Sequence, residues 1–267
     1  MNKVVLVTGG SSGIGRAIAT YLSTKGLTVF GTSRNASNGQ SLDNFTLVNM
    51  DVTKEDTVKS AVDYIIQSSG RLDILVNNAG LGMAGPLEST SDQETREIFD
   101  TNVFGLLNVC RTCIPHLRTQ RGYIINITSI GGRVALPYRG IYCSSKFAVE
   151  GLTETLSMEL RTFGIKVCLI EPGDFKTNIN ANRKISNNID RSVYDSRVDT
   201  ILAQIHDEVA GARDPLLIGE QVYAIIHDPS PNLRYKVATF KQKLSVTLKR
   251  FLPDRWFEKL IMRHYKL

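Results

Sequence analysis

Two side chains in this sequence are spaced for proton chemistry. Tyr142 and Lys146 stand four residues apart, so on a helix they share one face, with their stems about 5–6 Å apart. A phenol, with an ordinary pKa of about 10, is a poor base at neutral pH. A neighbouring ammonium favours the phenolate, and a hydroxyl such as that of Ser129 can bind the same substrate oxygen. The three together form a proton-transfer site for a carbonyl or an alcohol. A Tyr–Lys pair is also a common solvated surface feature, so the elements that carry these residues must decide.

Those elements alternate. Val4-Val5-Leu6-Val7 reads as a buried strand and leads into Thr8-Gly9-Gly10-Ser11-Ser12-Gly13-Ile14-Gly15. A helical stripe follows, with Ile14, Ala17, Ile18, Tyr21 and Leu22 on one face. Glycines between a strand and a helix let the backbone approach a pyrophosphate, and the helix N-terminus offers free N–H groups to it. Leu27 to Thr32 forms a second strand. An acid just beyond it would bind the 2′-hydroxyl of NAD. The chain has Ser33-Arg34 there, and an arginine pairs with a 2′-phosphate, so NADP(H) is the expected cofactor.

Phe45 to Met50 is a third strand ending at Asp51-Val52, where the aspartate can accept from an adenine amino group or cap the next helix. A helix over Thr57 to Ile66 precedes a fourth strand, Leu72 to Val76, which ends in Asn77-Asn78-Ala79-Gly80. Small residues there leave room for a cofactor, and the amides tie neighbouring strands. Ser89 to Cys113 contains a long helical pattern. Asn102 on its apolar face needs a partner, either a backbone carbonyl or a water in the site. A fifth strand, Gly122 to Thr128, delivers Ser129. A sixth, Ile165 to Ile170, closes in Glu171-Pro172-Gly173. The alternation predicts an α/β fold, a doubly wound parallel sheet with helices on both faces. Every candidate residue then falls at the carboxyl edge, where such sheets bind ligands.

Composition excludes several other classes. The 267 residues are 42% hydrophobic and 22% charged, ordinary for a globular protein. Cys110, Cys113, Cys143 and Cys168 are too sparse for a disulfide scaffold and favour a reducing compartment. Cys110 and Cys113 are expected to pack on a helix, and no Cys/His cluster completes a metal site. The apolar run after Lys3 is too short for a signal-peptide core, and no stretch approaches a membrane span. A cytoplasmic location is expected. From Lys241 to Leu267 eight basic residues face two acidic ones, which accounts for the whole net charge of +6. The basic character belongs to the tail, and nucleic-acid binding is not expected.

Together these motifs resemble the short-chain dehydrogenase/reductase family in its single-domain form, strongly over residues 3–180 and weakly beyond. The resemblance implies Tyr142 as acid/base, Ser129 as donor to the carbonyl oxygen, and Lys146 as the group that lowers the tyrosine pKa and holds the nicotinamide ribose. It implies Asn102 as the residue ordering a proton-passing water. Gly9, Ser11, Ser12, Gly13, Ile14, Gly15, Arg34, Asp51, Val52, Asn78, Ala79 and Gly80 would hold the dinucleotide, with Pro172, Gly173 and Thr177 flanking the nicotinamide. A homodimer or homotetramer is also implied.

The expected organisation is a catalytic domain over 1–240 and a basic amphipathic extension over 241–267. A substrate lid over about 174–217 is polar, with Asn178, Asn180, Asn182, Arg183, Lys184, Asn187, Asn188, Asp190 and Arg191, and carries a helical stretch from Val198 to Val209. In the extension, Leu244, Leu248, Phe251 and Leu252 recur at helical spacing before Pro253. Trp256, Phe257, Leu260, Ile261 and His264 do so after it. The two short helices would cover the pocket or an oligomer surface, or touch an anionic membrane. Such a tail resembles those of bacterial relatives of hydroxysteroid, retinol and keto-sphingolipid reductases. The expected substrate is therefore an apolar ketone or secondary alcohol. The polar lid favours a sugar or acyl thioester instead. A non-catalytic NADP(H) sensor is the third reading, against which Tyr142 and Lys146 both stand.

Overall fold

The computed structural model describes residues 2–177, 183–194, 197–210 and 212–267. Asn178, Asn180 and Asn182 of the expected lid lie outside them. Seven strands run parallel, with an antiparallel strand at one edge, in the order β10-β8-β7-β5-β1-β2-β4-β3. They are β1 (Val4–Val7), β2 (Thr28–Ser33), β3 (Gln40–Leu42), β4 (Phe45–Asn49), β5 (Ile74–Asn77), β7 (Tyr123–Ile127), β8 (Lys166–Pro172) and β10 (Arg234–Val237). The doubly wound α/β architecture read from the alternation is the one found.

The central strands are uninterrupted apolar runs because both faces are covered. On one face α2 (Glu55–Ser69), α4 (Leu106–Gln120) and α5 (Gly140–Leu160) pack over Leu6, Leu75, Ile124 and Leu169. On the other, α1 (Gly13–Thr24) and α7 (Leu216–His227) cover Val5, Val7, Val76, Ile125 and Ile170. Chain order reverses between β1 and β5, which are neighbours in parallel register with Val5 opposite Ile74. The crevice that such a reversal opens is where ligands bind in open α/β sheets.

Three features depart from the sequence reading. β10 carries the sequence Arg-Tyr-Lys-Val and buries only Val237, so it shows no apolar run. It is a strand because β8 offers it a free edge, with Arg234 opposite Leu169. A two-stranded parallel ladder pairs β6 (Met83–Ala84), after β5, with β9 (Lys184–Ile185). The long helix expected across Ser89 to Cys113 is three pieces. These are α3 (Asp92–Phe99), a π-helical turn (Asp100–Gly105) and α4, which runs on past Pro115 to Gln120. The extra residue per turn re-aims the side chains of this segment, and such bulges gather at functional sites.

The helix expected from Val198 to Val209 appears as α6 (Arg197–Ala210), and the tail forms α8 (Phe240–Phe251) and α9 (Asp254–His264). Their apolar residues divide between two faces. Val246, Leu248, Leu252, Phe257 and Ile261 pack on Ile130, Val134 and Leu136, and Tyr265 on Ile201 and Ile205. Phe240, Leu244, Phe251, Trp256 and Leu260 are exposed.

Asp73 pins the amino edge of the sheet. Its Oδ2 accepts from the Val4 N–H at 2.8 Å, Arg71 pairs with both oxygens, and its backbone bonds Val4 and Tyr123. Asp73→Ala leaves the buried Val4 N–H unpartnered, at a cost of roughly 1–3 kcal/mol. Thermal denaturation should show a lower Tm without a change of fold.

Candidate functional site

A cleft with a volume of about 820 Å³ crosses the carboxyl edge of the sheet. Its floor is the loop between β1 and α1. Gly9 and Gly13 adopt φ of 65° and 54°, in the left-handed region that favours glycine. At Gly15 a Cβ would sit 2.3 Å from the Gly9 carbonyl oxygen, so the loop closes on the helix only with glycine there. The N-cap Ser12 makes no side-chain cap to α1, and the first turn holds no acid. The free N–H groups of that turn suit an anion. The Thr8 hydroxyl accepts from the N–H groups of Asn78 and Ala79, at 2.9 and 3.0 Å. Asn78 returns a bond from Nδ2 to the Thr8 carbonyl at 3.0 Å. Asn77 Nδ2 reaches Asn126 Oδ1, whose own amide reaches Thr153. The amides after β5 thus tie strands and helix as expected.

Of the residues named from the sequence, Gly9, Ser11, Ser12, Gly13, Ile14, Arg34, Asp51, Val52, Asn78, Ala79, Gly80, Ser129, Tyr142, Lys146, Pro172, Gly173 and Thr177 all line this cleft. Gly15 lies buried beneath it. Arg34 is exposed at the far end beyond β2. Asp51 does not cap α2; its Oδ1 accepts from the N–H and hydroxyl of Thr53 at 3.0 and 2.8 Å, closing a local turn.

At the other end, Ser129 follows β7 and Tyr142 and Lys146 project from α5. Tyr142 is half-buried and Lys146 is 7% exposed, its Nζ donating to the Ile127 carbonyl at 3.1 Å. Burial shifts both titrations. Burial pushes the Tyr142 phenol above its ordinary value, while Ser129, Arg139 and Arg183 pull it down, against a push upward from Cys143. Desolvation of the phenolate exceeds the help of these nearby dipoles and charges. Lys146 is itself lowered, to about 8, by burial, with Glu150 raising it.

Asn102 is 2% exposed on the π turn and lies behind the cleft. Its Oδ1 accepts from Leu81 N–H at 2.7 Å, and Nδ2 donates to the Leu81 carbonyl and the Ser145 hydroxyl, both at 3.0 Å. Both donors are engaged, which leaves a water only the second lone pair of Oδ1. Backbone bonding, one of the two expectations for Asn102, is observed.

Two features were not placed at the site from the sequence, which set Arg183 only among the polar residues of the expected lid. Arg139 and Arg183 line a side pocket with Ser129, Tyr142 and Asp174. They come from a loop and from the lid, where no periodicity marks them. Behind Lys146, Glu150 accepts from Arg234 Nε at 3.0 Å and lies 3.6 Å from Arg133, which is also 3.8 Å from the fully buried Glu171. Burial raises the pKa of both acids. Cys110 and Cys113 are free and buried. Desolvation pushes Cys110 up to about 12 and Cys113 well above its ordinary value, so these thiols pack and do not ionise.

Residues 3–188 match the model of the short chain dehydrogenase family. The chain is 38% identical over 269 residues to a 3-ketodihydrosphingosine reductase of Bacteroides thetaiotaomicron, covering 99% of this chain and 98% of that one. A short-chain dehydrogenase/reductase of Burkholderia phymatum, solved in complex with NAD, superposes with a TM-score of 0.80 at 25% identity, covering 92% of each chain. The ElxO structure with NADP bound superposes with a TM-score of 0.72 at 27% identity, over 89% of this chain and 98% of that one. This chain belongs to the short-chain dehydrogenase/reductase family of oxidoreductases, and the two solved neighbours above hold NAD and NADP.

The Glu150 carboxylate is the charge that holds Lys146 up. Glu150→Gln should lower the Lys146 titration below about 8, as followed by NMR of the labelled lysine ε-carbon. An unchanged titration would mean that Glu150 serves only the Arg133 and Arg234 cluster.

Proposed function

We propose that this protein is an NADP(H)-dependent oxidoreductase that interconverts a ketone or aldehyde and an alcohol on an apolar, lipid-like substrate. The observation that carries this reading is the convergence of Ser129, Tyr142 and Lys146 at one end of a cleft whose other end bears Arg34 and no carboxylate at the tip of β2.

The cleft fits a dinucleotide. The N–H groups of the first turn of α1 would receive a pyrophosphate, and Gly15 leaves room for the loop to approach it. Arg34 would pair with a 2′-phosphate, and Asp51 and Val52 would meet the adenine. Asn78, Ala79, Gly80, Pro172, Gly173 and Thr177 would border the nicotinamide half. When bound, the dinucleotide supplies or accepts the hydride.

The chain's own work is to manage the proton and the developing charge. Tyr142 gives its phenolic proton to the carbonyl oxygen in reduction and takes it back in oxidation. The phenol is protonated at neutral pH, the form that reduction requires, and its raised pKa makes it a weaker acid. Ser129 donates to the same oxygen as negative charge grows on it, a preorganised contact that strengthens in the transition state. Lys146, largely protonated below about pH 8, holds a positive charge behind that oxygen. Asn102 positions: through Leu81 and Ser145 it fixes the backbone around Gly80 and the first turns of α5.

The substrate reading draws on the similar 3-ketodihydrosphingosine reductase and on the apolar tail helices packed beside the Ser129–Tyr142 loop. Arg139 and Arg183 beside Tyr142 favour a second reading, a polar or anionic substrate such as a sugar or an acyl thioester. The four free, buried cysteines agree with a cytoplasmic location. No helix among the described residues is long and apolar enough to cross a membrane.

Tyr142→Phe should abolish turnover while leaving NADPH binding, measured by fluorescence titration, nearly intact; retained turnover would sink the assignment. Loss of the charged contact in Arg34→Glu, typically ~1.5–3 kcal/mol, should cut kcat/KM with NADPH roughly 10–100-fold and spare NADH. Following oxidation of both cofactors across ketones graded from small and polar to long-chain separates the two substrate readings.

A further inference from the structure

The tail carries a second apolar surface that the core does not use. Phe240, Leu244 and Phe251 fall at i, i+4 and i+11 on α8, within about 40° of one another at about 100° per residue. Trp256 and Leu260 make the same i, i+4 pair on α9. All five are exposed, Phe240 at 79%, Phe251 at 73% and Trp256 at 68%. The adjoining inward stripe through Val246, Leu248, Phe257 and Ile261 already packs against the fold. An apolar stripe that packing does not need is a surface for something else.

The charge around it names the partner. Lys249 pairs with Asp254 and Arg255 with Glu258. Lys241, Lys243, Arg250, Lys259, Arg263 and Lys266 have no carboxylate partner among the described residues. Exposed Phe and Trp flanked by unneutralised Lys and Arg is the chemistry of an anionic lipid interface, where rings enter the headgroup layer and ammonium and guanidinium groups meet lipid phosphates. A second copy of this chain fits less well, because a two-fold contact would set this basic patch against itself.

We propose that α8 and α9 form a docking face for an anionic bilayer, presenting the substrate pocket to the membrane surface. The face begins at the pocket. Thr239 caps α8, and Gln242 in its first turn donates to Asp174 at 2.5 Å, a residue lining the pocket with Ser129 and Tyr142. The first turn of α8, which carries Phe240 and Gln242, therefore stands beside the pocket lining. The loop carrying Ile130, Val134 and Leu136, between Ser129 and Tyr142, is held by the buried face of the same two helices. Docking stands on this surface alone. Its use in substrate delivery rests on the apolar-ketone reading above.

The test is cosedimentation of the full chain with vesicles of phosphatidylcholine alone or mixed with phosphatidylglycerol. Binding to the anionic vesicles should be at least roughly tenfold tighter than to the neutral ones. It should be lost near ~1 M salt, where screening acts within about 3 Å. The triple variant Phe251→Glu/Trp256→Glu/Leu260→Glu, made only at exposed positions, should lose binding yet keep turnover of a short water-soluble ketone. The charge variant Arg250→Glu/Lys259→Glu/Arg263→Glu should lose the preference for anionic vesicles. No binding, or equal binding to both vesicle types, overturns the proposal. So does a dimer, seen by analytical ultracentrifugation, that the triple variant dissociates, since the occupant would then be a second copy. Absence of ketone turnover in the unaltered chain would count against the activity and leave the binding result standing.

Discussion

The site depends on one hydroxyl. Thr8 accepts from two consecutive N–H groups after β5, and so joins the two loops that diverge where the strand order reverses. Without that bridge the N–H groups of Asn78 and Ala79 would lose their partner in a half-buried crevice, which is costly. With it, the glycine loop and the Asn78-Ala79-Gly80 turn form one wall. The cleft then stays open without strain on either strand.

Burial and charge meet at the other end of that wall. Lys146 is deep enough for desolvation to lower its pKa to about 8, yet it donates to the Ile127 carbonyl and lies in the field of Glu150. Tyr142 is pushed the other way by the same burial. The effect is to bring the two titrations apart from their ordinary order, with a phenol that keeps its proton beside an amine that readily gives one up. Arg133 and Arg234 stabilise the acids behind them, so the low-dielectric region holds compensated charge rather than isolated ions.

The tail adds a constraint from outside the sheet. Two short helices of 12 and 11 residues are marginal alone, and their inward stripe against Val134 and Leu136 gives them a reason to form. That contact supports the loop that joins Ser129 to Tyr142. The outward stripe has no counterpart within the described chain. The helical spacing of the tail was plain in the sequence, but spacing cannot divide two apolar stripes into one that packs and one that does not.

What the sequence determined by itself was whatever rests on local pattern. The apolar runs of β1, β5, β7 and β8, the glycines after β1, and the Tyr142-x-x-x-Lys146 step on α5 placed the fold and most of the cleft, because strand burial, positive φ and helical spacing are written in neighbouring residues. Arg34 was visible for the same reason, as the residue just past a strand. Tertiary structure decided the rest. β10 became a strand because β8 had an edge to offer. The π turn at Asn102 arose where a long helical pattern had to meet both α5 and the loop at Leu81. Arg183, Glu171 and Arg234 reached the site from separate segments. The sign of the Tyr142 shift followed from how deeply that ring is buried. None of these has a local signature, since each depends on which distant backbone groups and charges the folded chain brings within a few ångströms.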